Sequence, residues 1–490
     1  MLLWLLLAAC IHWTGGKLSC EEQRMSPRIR ETVKLISTWK AQHGIEALNK
    51  QVLEGDFKGL CARNYIKNYQ FDLGCNLAGN HWGSATSAFI AAVVLNRTLV
   101  LNGEDGINRT CEGSVSMRSW VVRQKVLEVL LKQAGCNYFR DDADQKPSVH
   151  DFVDINKRED YGISRRCGYA RSTRKVLGYD DLFNSGIDLL LPANNEFLSS
   201  ESRRRAAILF SSPVPGMARF ESYGFLLRSL LVFTNQTVAI VKHALEGIHL
   251  GGHVHECLGT VQLHDNMQER EYYTIGLHIR HKIVEPKFEP FYDDASERGI
   301  IYFQAKHERH VSEAWERRRG NKTAPRPRQS CVILLASDRA ATITHLVKFS
   351  AEVGCRVSFI QRDLAAKVSA QQKAEGYEET GPWSVASTSM SDWYLLTHSD
   401  YFIGSAASTF SFLIAGEVAA RAALREDVSS PPGHGQESSF LWTTSPNPSA
   451  PGPLNLTGNW DLAHGFIVME QGNYKIQRSI STCPLPAIPD

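Results

Sequence analysis

The second half of the chain alternates short apolar runs with helix-length segments, and few folds satisfy that alternation. Tyr272 to Ile279, Cys331 to Ala336, Arg356 to Ile360 and Tyr401 to Ile403 each read as a buried strand. Helical segments come between or after them, at about 339–353, at about 388–398 and from Thr409 to Arg421. Apolar strands separated by helices of this length predict a largely parallel sheet wound on both faces, an α/β architecture. In such sheets ligands bind beyond the carboxyl ends of the strands. That directs attention to the residues after Ile279, Ala336 and Ile403.

The first half carries one clear winding unit. Gly74-Cys75-Asn76-Leu77-Ala78-Gly79-Asn80 leads into a predicted helix from Ser84 to Val94, and Thr98 to Leu101 reads as the next strand. Trp120 to Gln133 reads as helical, Ala206 to Phe210 as a further short strand, and Phe220 to Leu250 as one or two long apolar helices. At 490 residues the chain exceeds one ordinary core and predicts two domains, with the break near 255–270. The expected division is a helical segment over 20–60, one α/β domain over 61–268 and a second over 269–426. Residues 427–454, rich in Pro, Ser and Gly, read as a surface loop or linker before a C-terminal segment, 455–490.

Net charge is +2, with 22% charged and 43% apolar residues. So slight an excess gives no reason to expect nucleic acid or an anionic membrane surface as partner. Leu2 to Ile11 is an unbroken apolar run, shorter than the roughly 18–20 residues that span a bilayer. It reads as a cleaved secretory signal within residues 1–19, with a short signal anchor or a lipoprotein site at Cys10 as alternatives. No Lys or Arg precedes it. Candidate N-glycosylation acceptors stand at Asn96, Asn108, Asn235, Asn321 and Asn455, each two residues before a Thr. Setting Cys10 aside leaves ten of the eleven cysteines, an even number with no Cys-x-x-Cys pair, which suits disulfides in an oxidising lumen. The expected location is the Golgi or endoplasmic reticulum lumen, or outside the cell.

Three clusters could carry chemistry. His278 and Arg280 share one face of a strand end, where an Arg can fork onto two phosphate oxygens. Ser337 or Asp338 would cap the helix that follows its strand. In Gly404-Ser405-Ala406-Ala407-Ser408-Thr409, small residues and hydroxyls at a helix start can bring backbone N–H groups to a phosphate. Each alone has a bland structural explanation: a solvated strand end, or ordinary helix capping.

Together and in this order they resemble the fucosyltransferase superfamily: the core α-1,6-fucosyltransferases, the nodulation-type enzymes and the protein O-fucosyltransferases. The stretches that carry the resemblance are His278-x-Arg280, Leu335-Ala336-Ser337-Asp338, and Asp392-x7-Asp400-Tyr401-Phe402-Ile403-Gly404-x3-Ser408-Thr409-Phe410. Upstream, Gly74-Cys75 through Phe89 to Asn96-Arg97-Thr98-Leu99-Val100 is similar to the α-1,6 group's first motif. The resemblance implies a GT-B fold, two Rossmann-like domains facing a cleft, with GDP-fucose as donor, inversion at the anomeric carbon and no required metal or other cofactor. It implies that Arg280 contacts the donor diphosphate, His278 and Asp392 the nucleoside end, and Ser408 with Thr409 the phosphates; Asp338 joins them as a binding candidate. The acceptor would be a glycan or glycoprotein hydroxyl, with membrane contact only through an N-terminal anchor.

The sequence departs from the α-1,6 pattern just after Arg280, where His281-Lys282-Ile283-Val284 replaces Arg-Thr-Asp-Lys. That group's catalytic glutamate is matched by Glu289, before Pro290-Phe291-Tyr292, or by Glu285, with a base from the first domain as the remaining alternative. Two rival readings therefore stay open: a transferase using another nucleotide sugar, and a lumenal binding protein that recognises glycans or polypeptides without turnover. Asp142-Ala143-Asp144 has metal-binding spacing but no long apolar strand before it, and reads as a solvated loop. His249, His253 and His255 surround a glycine pair and read as loop residues.

Overall fold

The computed structural model of the protein describes residues 27–68, 78–101, 115–136, 152–157, 166–170, 176–178, 187–189, 199–210, 218–246, 256–257, 260–261, 272–279, 289–319, 329–337, 339–360, 383–405, 409–425, 439–442 and 466–469. Helix α1 (Pro27–His43) buries Leu35, Ile36 and Trp39 at helical spacing. Two short helices, Ile45–Leu53 and Phe57–Ala62, lead to β1 (Tyr65–Asn68), followed by α2 (Ala78–Leu95) and β2 (Thr98–Leu101). β1 and β2 pair in parallel from Tyr65↔Thr98 to Asn68↔Leu101, so the predicted winding unit is present. The helix begins earlier than the predicted Ser84. Ala85, Ala88, Phe89, Ala92 and Val93 are all 0% exposed, so α2 is a core helix rather than a surface one. β3 (Val122–Arg123) and β4 (Val176–Gly178) complete a parallel sheet ordered β3-β2-β1-β4.

Two sequence expectations fail here. Trp120 to Gln133 is not one helix: Val122 and Arg123 pair with Val100 and Leu101, and the helix starts at Gln124. Pairing in the sheet buries Val122, which a surface helix would leave half wet. Ala206 to Phe210 is not a strand but the end of a helix, Ser200–Phe210. Ser202, Ala206 and Leu209 are buried at intervals of four and three residues, and Glu201 pairs with Arg204 and Arg205 one turn on.

Helices α3 (Ala218–Leu230) and α4 (Asn235–Glu246) follow, separated by the short strand Leu231–Phe233. β5 (Tyr272–Ile279) then opens the larger sheet. After it come α5 (Glu289–Arg319), β6 (Ser330–Ser337), α6 (Ala340–Glu352), β7 (Cys355–Phe359), α7 (Trp383–Leu396), β8 (Tyr401–Ser405), α8 (Thr409–Arg425), β9 (Ser439–Trp442) and β10 (Phe466–Met469). Six parallel strands result, ordered β7-β6-β5-β8-β9-β10. The 31-residue α5 was not foreseen, because its many charges obscure the apolar positions Ile300 and Phe303. Nor was β9, which lies within 427–454 and pairs with β8.

The sheet is covered on both faces, as the apolar strands require. Tyr273, Ile275, Leu277 and Ile279 alternate onto one face with Ile333, Leu335 and Ile403, against Ile300 and Phe303 of α5 and Leu346 of α6. Val332, Leu334, Ala336 and Phe402 take the other face, against α7, α8 and, beyond them, α3 and α4. Full burial of each such side chain contributes about 1.5–3 kcal/mol. Asp400 fastens β5 to β8 at the opposite end from the ligand-binding edge: its carboxylate accepts from Thr274 N (2.8 Å) and Thr274 Oγ1 (2.9 Å). Disulfides join Cys61 to Cys136 and Cys331 to Cys355, the second across the paired strands β6 and β7. Among the described residues, no helix is long and apolar enough to cross a membrane.

Candidate functional site

Numbered within the larger sheet, the strands run 3-2-1-4-5-6, so their order reverses between β5 and β8. Connections from the two carboxyl ends leave in opposite directions there and open a crevice. Three pieces of the chain meet at that point: the end of β5, the end of β8 and the first turn of α8.

His278 is the penultimate residue of β5 and is 8% exposed. Its side chain emerges on the face that carries α7 and α8, since Leu277 and Ile279 take the other. The imidazole leans on Phe410, with ring centroids 4.9 Å apart, and Nδ1 lies 2.6 Å from Ser411 Oγ. Hydroxyl donates to ring or ring to hydroxyl according to the tautomer. Gly404 makes room for this contact. A Cβ there would lie 2.8 Å from both the Phe402 ring and Ser411 Cβ. A side chain at residue 404 would therefore push Ser411 and the start of α8 away from His278.

Thr409 is the first residue of α8. The first four N–H groups of an α-helix lack intrahelical acceptors, and the helix dipole favours an anion beside them. At this end of the sheet they face the crevice. Further along the helix, Glu417 is 0% exposed and accepts hydrogen bonds from Trp393 Nε1 (2.8 Å) and Arg228 Nε (2.8 Å). The Trp393 ring in turn meets Phe410 edge-on, centroids 5.2 Å apart.

The structure thus brings His278 to the first turn of α8, against Phe410 and Ser411. Asp392 lies half-buried on α7, next in the chain to Trp393. Glu289 is the first residue of α5. Arg280, Glu285, Asp338 and Ser408 lie outside the described residues, as do Asp142, Asp144, His249, His253 and His255. The expected cap on α6 is corrected: its N-cap is Arg339, without a side-chain cap bond, and Ser337 Oγ instead accepts from Arg339 N (3.2 Å). Among the described residues, no group of three or more His, Cys, Asp or Glu is placed to hold a metal ion.

Sequence reasoning missed Arg228, Trp393 and Glu417. A signal existed: Glu417 stands alone among the apolar residues Phe412-Leu413-Ile414-Ala415-Gly416 and Val418, and an acid buried there requires partners.

No protein-family model matches the sequence, and no curated protein matches it. Solved structures do match. A mutant of Arabidopsis thaliana FUT1 in complex with GDP is 14% identical, covering 81% of this chain and 78% of that one at a TM-score of 0.41. NodZ α-1,6-fucosyltransferase soaked with GDP-fucose is 14% identical, covering 73% of this chain and 93% of that one at 0.31. POFUT1 in complex with GDP-fucose is 12% identical, covering 72% and 94% at 0.27. The chain is similar to fucosyltransferases.

Proposed function

We propose that this protein is an inverting glycosyltransferase of GT-B design that takes GDP-fucose as donor and transfers fucose to a glycan or glycoprotein hydroxyl in the secretory pathway. The observation that carries this reading is the strand-order reversal between β5 and β8. It sets His278 and the first turn of α8 at one crevice, within the motifs that resemble the fucosyltransferase superfamily. In this reading Arg280, one residue past β5, forks onto the diphosphate, while Ser408, Thr409 and the α8 N–H groups take the remaining phosphate oxygens. Charge grows on the leaving GDP as the sugar bond breaks, and a fixed guanidinium with helix-terminal donors stabilises it. His278 and Asp392 serve the nucleoside end, and Asp338 is a further binding candidate. Glu289 or Glu285 accepts the acceptor proton, and no metal is needed for the charge balance.

Thermal shift with nucleoside diphosphates tests the donor. A ligand at roughly a hundred times its Kd stabilises the native state by about 2.7 kcal/mol. GDP should raise Tm and UDP should not. Arg280→Lys, which keeps the charge but loses the fork, should lose most of the shift. A UDP response in place of GDP would select the rival donor. GDP-fucose hydrolysis or transfer then separates an enzyme from a binding protein.

A further inference from the structure

We infer that the Arg228–Glu417 ion pair is a positioning device that fixes the crevice end of α8, so that residues outside the site set how well it grips a diphosphate. The inference rests on the donor-site reading above.

Three helices meet at Glu417. Its carboxylate is wholly buried on α8, Arg228 reaches it from α3 with 11% of its side chain exposed, and Trp393 reaches it from α7. One residue away, α3 and α8 touch backbone to backbone: a Cβ on Gly224 would lie 2.0 Å from Gly416 O. Apolar helix contacts tolerate sliding. A buried ion pair with an added N–H donor does not, because any shift strands a charge without its partner. The pair therefore fixes both the separation and the register of α3 against α8.

The consequence reaches the crevice through side chains already in contact. Trp393 is held by its Nε1–H to Glu417, its ring meets Phe410, and Phe410 supports His278, which bonds Ser411. Phe410 and Ser411 belong to the first turn of α8, whose N–H groups take the phosphates in the donor-site reading. Donors that grip a ligand must be held within about 0.5 Å of their working geometry. Loss of the pair should therefore weaken GDP through both the first turn of α8 and His278. A pair that served only stability would lower Tm and leave the folded protein's affinity for GDP unchanged.

The test uses the full chain and two ligands, GDP and guanosine, with affinities measured by calorimetry. Wild-type protein should prefer GDP. Glu417→Gln keeps an acceptor for Trp393 but leaves Arg228 unpaired. It should weaken GDP about ten- to a hundredfold, measured where the variant is fully folded. Should that variant fail to fold, Arg228→Met with Glu417→Gln removes both charges and keeps an acceptor for Trp393. It should be more stable than Glu417→Gln alone, since no charge is left buried without a partner, yet show the same loss of GDP affinity. Wild-type GDP affinity in either folded variant would overturn the inference. A wild-type protein that binds guanosine but shows no preference for GDP would sink the donor-site reading and this inference with it.

Discussion

Asn96 is the one non-glycine with positive φ among the described residues (53°), and the contacts that hold it there link α1 to the smaller sheet. Its Oδ1 lies 3.0 Å from His43 Nε2, while His43 Nδ1 meets Thr98 Oγ1 at 3.1 Å. Asn96 Oδ1 only accepts, so Nε2 carries the proton and Nδ1 accepts from the Thr98 hydroxyl. A second proton would displace that bond beside Arg63, whose Nη1 is 3.4 Å away. Burial lowers the His43 pKa from 6.5 to about 4; the Asn96 bond opposes this, and the Arg63 and Arg205 charges reinforce it. The unfolded chain thus takes up a proton near pH 6.5 while the fold resists until about pH 4. Stability is full above the unfolded pKa and is lost as pH falls through this window, by on the order of 3 kcal/mol. Urea unfolding followed from pH 7 to pH 4 should show that slope, and His43→Gln should flatten part of it. An unchanged slope in the variant would assign the titration elsewhere. The same residues show what a motif leaves unsaid. Asn96-Arg97-Thr98 is legible both as a glycosylation acceptor and as part of a family motif. Only the fold shows Arg97 and Thr98 buried and Asn96 just past the end of α2.

At the scale of elements, strands of the larger sheet were the most legible parts of the sequence. Tyr272–Ile279 was read without error, and the boundaries of β6, β7 and β8 were off by one or two residues. Buried parallel strands are uniformly apolar, and the breaks between them are abrupt. Helices that pack on other helices were less legible, because their apolar faces answer to partners far away in sequence. Crossing of α3 and α8 at Gly224 is the clearest case. Gly224→Ala would put a methyl 2.0 Å from Gly416 O and 2.8 Å from Glu417 N, and backbone atoms cannot turn aside. Overpacking of this kind costs about 1–3 kcal/mol or more. Tm should therefore fall by several degrees. Gly55→Ala, where nothing lies within 4 Å but φ is +71°, serves as a control for backbone strain alone and should cost less. Equal losses at the two positions would mean that the helix crossing is looser than described.

Across the whole molecule, the largest apolar cluster runs from Leu35 to Val418 and includes residues on both sides of 255–270. Among the described residues, two disulfides act on different lengths of chain. Cys61–Cys136 spans 75 residues and Cys331–Cys355 spans 24. Chain entropy alone assigns them about 4.5 and about 3.5 kcal/mol. Cys61→Ala with Cys136→Ala should therefore destabilise by about 1 kcal/mol more than Cys331→Ala with Cys355→Ala, measured by urea unfolding without reductant. The reverse order would show that the bond between β6 and β7 contributes chiefly through the native sheet. An even cysteine count indicated that disulfides form; pairing needed the register Cys331↔Cys355, which no spacing reveals. By itself the sequence determined the α/β class, the strands of the larger sheet and the three stretches worth examining for chemistry. Those follow from local rules, since burial on both faces, helix starts and strand ends leave marks within ten or so residues. Strand order was decided only by tertiary structure. Two parallel strands adjacent in a sheet carry no mark of which is the neighbour, yet the reversal between β5 and β8 is what creates the crevice. The partners of Glu417 were hidden for the same reason: Arg228 stands 189 residues away, and a buried charge specifies that it needs a partner without specifying which.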